Sequence, residues 1–458
     1  MMRKKNSLLM ISVIISGLFV SCWDNFTERT YYNANITSFG FDAHDTCPDI
    51  EDYVFNINQL SDTGLIYNLD SLPYGRVVKT LYPTLKLQSS NGNIFVNDSL
   101  WEDNDSIDFT SPAIFKNTSA DGLYTRIYKI SVNVHQVEPD SMVMNKISNV
   151  FPANVAKSKM IRLVDGGFLS FSPLSAGGMS AALSTNGALT FSAQSVTGIT
   201  ENVDINSLCV FDSKYFVTSK SNQLYTSTDG FSWTTTGDGT KIVTLYGSVK
   251  KKYIDESSSF YLTGLAKKAS GELCFARSSD GVAWTLGSAV NADFPVSDYA
   301  LVKGTTVTGV QFYTIATGFN AAGGYSSSIW STETGLNWVL ISDGSDARKA
   351  LGKRKGASIF YYDNYLVCFG GIDPDGYYHK DLYVSEDHGK AWAKAPEKWA
   401  FLNMTTGLAY TDVYVEHQED AVNDKDREFI WIFGGSKDTG LSSAVWKGHL
   451  NKMVFLRR

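Results

Sequence analysis

The stretch "SEDHGKAW" at residues 385–392 sets a hydroxyl at Ser385, a carboxylate at Asp387, a glycine at Gly389 and a tryptophan at Trp392. Near-copies recur along the chain. "STDGFSW" (227–233) supplies Ser227, Asp229 and Trp233, and "SSDGVAW" (278–284) supplies Ser278, Asp280 and Trp284. "STETGLNW" (331–338) supplies Ser331, Glu333 and Trp338, with glutamate where aspartate is expected. A decayed copy, "STNGALTF", starts at Ser184. The copies recur about every 50 residues, the period of a solenoid or propeller. Around each one the sequence divides into four strand-like runs, as in "GASIFYY", "NYLVCFGG", "DLYVSE" and "AWAKA". A sixth unit without the motif closes the chain with "EFIWIFGG", "SAVWKGHLN" and "KMVFLRR". Six units of four antiparallel strands predict a six-bladed β-propeller over residues 150–458. Units one and six each supply four runs, which is compatible with a ring that closes without exchanging a strand, and the sequence alone leaves the mode of closure open.

The spacing has a physical reading as a hairpin between the third and fourth strands of a blade. Aspartate accepts hydrogen bonds from nearby backbone N–H groups, and serine does so more weakly. Glycine supplies a positive φ, and tryptophan begins the next strand and buries its ring. The pattern resembles the Asp-box of BNR-repeat propellers, found in sialidases and in many non-enzymatic relatives. That resemblance implies that Asp229, Asp280 and Asp387 are structural and lie on the face away from the usual ligand site. "CFGG" and "IFGG" in units five and six are similar to kelch repeats.

Upstream of the repeats, residues 36–142 alternate apolar and polar in "ITSFGF", "YVFNI", "YPTLKLQ" and "RIYKISVNVHQV". Turn signals at "LPYG", "SNGN" and "ADG" separate these runs. This block predicts an Ig-like β-sandwich, so the expected fold class is all-β, a sandwich followed by a propeller. "VEPDSM" (137–142) reads as a linker.

The N-terminus reads as a targeting segment. Basic "MRKKNS" precedes apolar "LLMISVIISGLFV" and then "FVSC", with Ser21 before Cys22. This resembles a bacterial lipobox, which implies a signal peptide over 1–21, diacylglycerol on Cys22 and a tether over 22–35. The alternative is a plain signal peptide or an uncleaved anchor. A lipid anchor would hold the chain at a membrane surface without spanning it, in the cell envelope, with the outer membrane of a Gram-negative bacterium as the expected place. The formal charge of -7 argues against nucleic acid as a partner. No CxxC pair or Cys/His spacing suits zinc, so neither metal nor cofactor is expected. The whole chain is similar to Bacteroidetes lipoproteins that join an Ig-like domain to a C-terminal propeller. The similarity rests on "IYNLDSLPYG", "YKISVNVHQVEPD", "IWIFGG" and "VWKGHLNKM", and it brings no activity with it.

Candidate chemistry is sparse. The Arg-Ile-Pro motif that the sialidase resemblance would require is absent, and the nearest match surrounds Arg162. Asp373, Asp375 and Gly376 in "GIDPDGYYHK" start like a calcium loop but lack its closing glutamate, so a polar turn is the simpler reading. The connection 342–356 concentrates Arg348, Lys353 and Arg354, and "KAPEKWAFLN" adds Trp399. With Asp373, Asp375 and Tyr377, these residues are the expected ligand-binding set on the face opposite the boxes. Basic and aromatic groups together suit an acidic glycan or a partner protein. The expected function is a surface-anchored, non-catalytic recognition head; the alternative is an enzyme acting on sugars, of the mutarotase or glycosidase class.

Overall fold

A computed structural model describes residues 33–88, 92–152, 156–252, 258–401, 404–420 and 425–451. Cys22 and the expected signal peptide lie outside the described residues. The chain divides into two compact units, the first ending at Pro139 and the second starting at Asp140.

The first unit is sandwich-like. A two-stranded sheet pairs Ile36–Phe41 with Pro83–Leu87. A six-stranded sheet holds the other strands, and within it Thr63–Asn68 runs parallel to Thr125–Ser131. Alternation along these strands sends Phe39, Phe41, Phe55, Ile66, Phe115 and Tyr128 inward to one apolar core.

The second unit is the six-bladed propeller. Five blades are consecutive four-stranded meanders, spanning 159–194, 203–236, 241–289, 300–342 and 358–394. The sixth is composed differently. Asp412–Asp420, Lys425–Phe433 and Val445–Leu450 supply three strands, and the outermost is Met142–Ser148, from the start of the unit. The ring therefore closes by strand exchange, which answers the question that the four runs of the last unit left open. That strand begins at Met142, the last residue of the stretch read as a linker. Its inward residues Met142 and Met144 are buried against Ile430, Ile432 and Trp446, so closure is driven by apolar burial as well as by the ladder.

The recurring motif forms the hairpin between strands three and four of its blade. In blade two, Ser227 Oγ donates to Asp229 Oδ1 at 2.8 Å, and the N–H groups of Phe231 and Ser232 both donate to that oxygen at 2.7 Å. Blade three repeats this through Ser278 and Asp280, and blade five through Ser385 and Asp387. Gly230, Gly281 and Gly389 have φ of 80°, 74° and 98°. These glycines also lie against the preceding blade: a Cβ on Gly281 would come within 2.5 Å of the Phe216 ring. The tryptophans do the same on a larger scale. Trp233 meets Phe171 edge-on at 6.4 Å, and Trp392 packs with Ala316 and Ile329. The motif thus joins neighbouring blades as well as turning its own chain.

In blade four the register is one residue later than the sequence alignment suggests. Thr332, not Ser331, accepts from Gly335 N–H at 2.9 Å, and Leu336 N–H donates to Thr334 Oγ1, not to Glu333. Ser331 instead donates to Tyr313 O, and Glu333 is exposed. The seven-residue spacing from Thr332 to Trp338 matches blades two and three, and threonine replaces the aspartate.

Candidate functional site

The innermost strands of the blades surround a central channel, and their first residues form its mouth. A cavity of about 140 Å³ opens there, lined by Lys157, Lys159, Asp298, Ser358, Tyr410 and Asp412 among others. Three connections reach this mouth with the same backbone bend. Asp298, Gly356 and Tyr410 each stand two residues before an inner strand, with φ of 51°, 64° and 56°. Gly356 N–H donates to Asp298 O at 3.0 Å, and Tyr410 N–H donates to Gly356 O at 2.7 Å. These bonds run from blade four through five to six. Glycine is required at 356, because a Cβ would come within 2.6 Å of the Tyr410 ring. Two non-glycine residues held in the left-handed region beside a cavity are the kind of backbone strain that concentrates at functional sites.

Each mouth carboxylate is engaged by its own lysine. Asp298 pairs with Lys157 and accepts from the Tyr410 hydroxyl at 3.3 Å. Lys157 Nζ also lies 4.9 Å from the centre of the Tyr410 ring. Asp412 pairs with Lys159 at 3.4 Å and accepts from Met160 N–H. The Asp298 and Asp412 side chains are only 17% and 14% exposed, and both lysines are 36% exposed, so the cations present the outer part of each pair. Burial first, then the Asp298 charge and hydrogen bond, raises the pKa of Tyr410, which keeps its hydroxyl as a donor. Ser358 Oγ donates to Thr411 O at 2.7 Å. The mouth is therefore polar, close to neutral, and supplied with both donors and acceptors.

The connection 342–356 and the loop around Asp373 do not present the expected ligand set as a whole. Arg348 and Lys353 are exposed, and Arg348 contacts Asp346 at 3.4 Å. Arg354 is 2% exposed. Its guanidinium donates to Gly370 O and Leu351 O and lies 5.1 Å from the Tyr383 ring centre, while its backbone is fixed by Thr317. It is a brace between blades four and five, not a surface ligand group. Trp399 is 8% exposed and meets Tyr365 edge-on at 5.3 Å, so its ring cannot stack on an external sugar. Asp373 caps its own loop, accepting from Asp375 N–H at 3.0 Å and Tyr377 N–H at 2.9 Å. Its other oxygen lies 3.3 Å from His379 Nε2. Burial, then the Arg354 charge, lowers the His379 pKa despite Asp373. Asp375 and Tyr377 remain exposed at the loop tip.

Sequence reasoning missed the mouth residues. The one signal available was positional: "SDYA", "KGAS" and "AYTD" occupy equivalent places two residues before an inner strand. Their side chains differ from unit to unit, so no repeat marks them.

Two family models match. The "DUF6242 beta propeller domain" covers residues 138–458, and the "Domain of unknown function (DUF6242) N-terminal domain" covers 28–132. The chain belongs to the DUF6242 family. The boundary at 138 places the closing strand Met142–Ser148 within the DUF6242 propeller. Among solved structures, one titled "Structure of YjhT" is similar at 13% identity, with a TM-score of 0.43, over 67% of this chain and 97% of that one. No curated protein matches the chain.

Proposed function

We propose that this DUF6242 propeller is a recognition head that binds a neutral, hydroxyl-rich group, such as a terminal sugar, at the channel mouth. The observation that carries this reading is the pairing of each mouth carboxylate with a lysine, Asp298 with Lys157 and Asp412 with Lys159. Such pairs cancel net charge while offering ammonium donors and carboxylate acceptors, which sugar hydroxyls can bridge. The 140 Å³ cavity gives room for about one ring. An enzyme acting on sugars would call on the same two carboxylates, Asp298 and Asp412, for proton transfer. Both are already committed to lysines, and no arginine is among the described lining residues, which favours binding over catalysis.

In the same reading the chain is held at the cell envelope by diacylglycerol on Cys22, and in chain order the sandwich-like unit lies between anchor and head. Wild type and Cys22→Ala labelled with a fatty acid test the anchor: equal label in both would remove it. A glycan array tests the head. Wild type should mark neutral sugar termini, and Asp298→Asn should lose that signal. Asparagine tolerates the left-handed backbone at 298, so the variant should stay folded. No signal from wild type, or an unchanged signal from the variant, would refute the reading and leave a protein partner as the better candidate.

A further inference from the structure

A second cavity, of about 280 Å³, lies at the seam between blades five and six. Its walls come from the closing strand and Asn149, from the connection 404–408, and from the hairpin 436–444. Lys146 and Lys437 both line it, with Asn149, Thr405, Thr406 and Ser443, and no carboxylate is among its described lining residues. That is unusual in a chain with 47 acidic and 40 basic residues, and it differs from the channel mouth, where each lysine has an aspartate. Lys437 is half-buried and forms no ion pair among the described residues. Lys146 meets the face of Trp446, its Nζ 5.3 Å from the ring centre.

Two cationic side chains lining one space, the exposed Lys146 and the half-buried Lys437, repel each other, and an oxyanion between them would convert that repulsion into attraction. The cavity is larger than one inorganic oxyanion needs. The rest of the lining mixes hydroxyls and an amide with the apolar side chains of Met404, Leu408 and Leu441. The polar groups suit ring hydroxyls, and the apolar groups suit ring C–H groups. We infer that this cavity binds an acidic sugar unit, a ring carrying a carboxylate, sulfate or phosphate. The site is separate from the channel mouth and does not depend on the reading proposed for it.

Calorimetric titration of the full chain with glucuronic acid, glucose 6-sulfate, glucose 6-phosphate, glucose and sodium sulfate tests this. At least one acidic sugar should bind about tenfold or more tightly than glucose, and more weakly as salt rises from about 0.05 M to about 0.5 M. The three acidic sugars separate the oxyanion sources. Lys437→Ala should weaken that binding about tenfold and Lys437→Glu should abolish it, while Asp298→Asn leaves it unchanged. Lys437 lies on a short surface hairpin, so melting temperatures should stay close to wild type. No binding of any acidic sugar, equal binding of glucose in the Asp298→Asn variant, whose channel mouth is disabled, or equal affinity in Lys437→Ala would overturn the inference. Sulfate binding as tightly as every acidic sugar would overturn the sugar part of it.

Discussion

Lys146 stands opposite Trp446 in the ladder that closes the propeller, with its ammonium over the indole face. This pair joins the first strand of the second unit to its last described one. Closure therefore depends on residues that a boundary drawn at 150 would discard. A chain starting at residue 150 should leave the edge of Val445–Leu450 unpaired and aggregate, whereas one starting at 138 should stay monomeric. Size-exclusion chromatography of the two distinguishes these outcomes.

Gly448 lies where the closing strand comes nearest. A Cβ there would meet Val143 O at 2.2 Å and Met144 Sδ at 2.1 Å. Gly448→Ala should cost about 1–3 kcal/mol through overpacking. Chemical denaturation would show the midpoint shift, and an unshifted midpoint would mean that the closing strand yields freely.

The interblade turns give graded expectations. Trp392→Ala removes a ring shared by blades four and five and should cost about 3–5 kcal/mol. Thr332→Ala should cost about 1 kcal/mol, and Ser331→Ala and Glu333→Ala should cost less, because Thr332 holds the Gly335 N–H. Equal losses at Thr332 and Glu333 would restore the register read from sequence.

The same turns predict an acid response. The Ser232 and Phe231 N–H groups, then the Ser227 hydroxyl, hold the Asp229 carboxyl well below the usual carboxylate range. At Asp280 the Val282 and Ala283 N–H groups, then Ser278, act in the same direction. A pKa lower in the folded state gives stability that is present above the unfolded value, near about pH 4, and is lost as pH falls toward the folded value. The melting temperature should drop between about pH 5 and about pH 3, and the drop should be shallower in Asp229→Asn. Asparagine already serves in this position in blade one, where Asn186 accepts from Thr190 N–H at 3.1 Å. An identical pH profile for the variant would contradict the assignment.

Arg354 and Arg348 should separate cleanly. Arg354→Ala strips the donors from two carbonyls and empties a buried space, a loss on the order of 3 kcal/mol. Arg348, 89% exposed, should change stability by less than about 0.5 kcal/mol when truncated. Thermal melts of the two variants decide it.

These contrasts show what the chain discloses in sequence. The turns of blades two, three and five were legible because a hydroxyl, a carboxylate, a glycine and a tryptophan perform local work at fixed spacing. The closing strand was not, because Lys146 and Trp446 are paired by topology and nothing near Lys146 signals it. Arg354 looked like its neighbours Lys353 and Arg348 because a cation in a loop reads the same whether it faces water or the Gly370 carbonyl. Asp298 and Tyr410 were hidden for another reason: their shared left-handed backbone leaves no mark on residue type.

The pairing of Tyr410 with Asp298 and Lys157 is where the functional account is most exposed. Tyr410→Phe keeps the ring beneath Lys157 and removes only the hydroxyl. Calorimetric titration of wild type and this variant with neutral monosaccharides, galactose, mannose and N-acetylglucosamine, measures the claim directly. The account predicts that wild type binds at least one of them and that the variant binds it about tenfold more weakly at an unchanged melting temperature. Equal binding by the two proteins, or no binding of any neutral sugar by wild type, would contradict it.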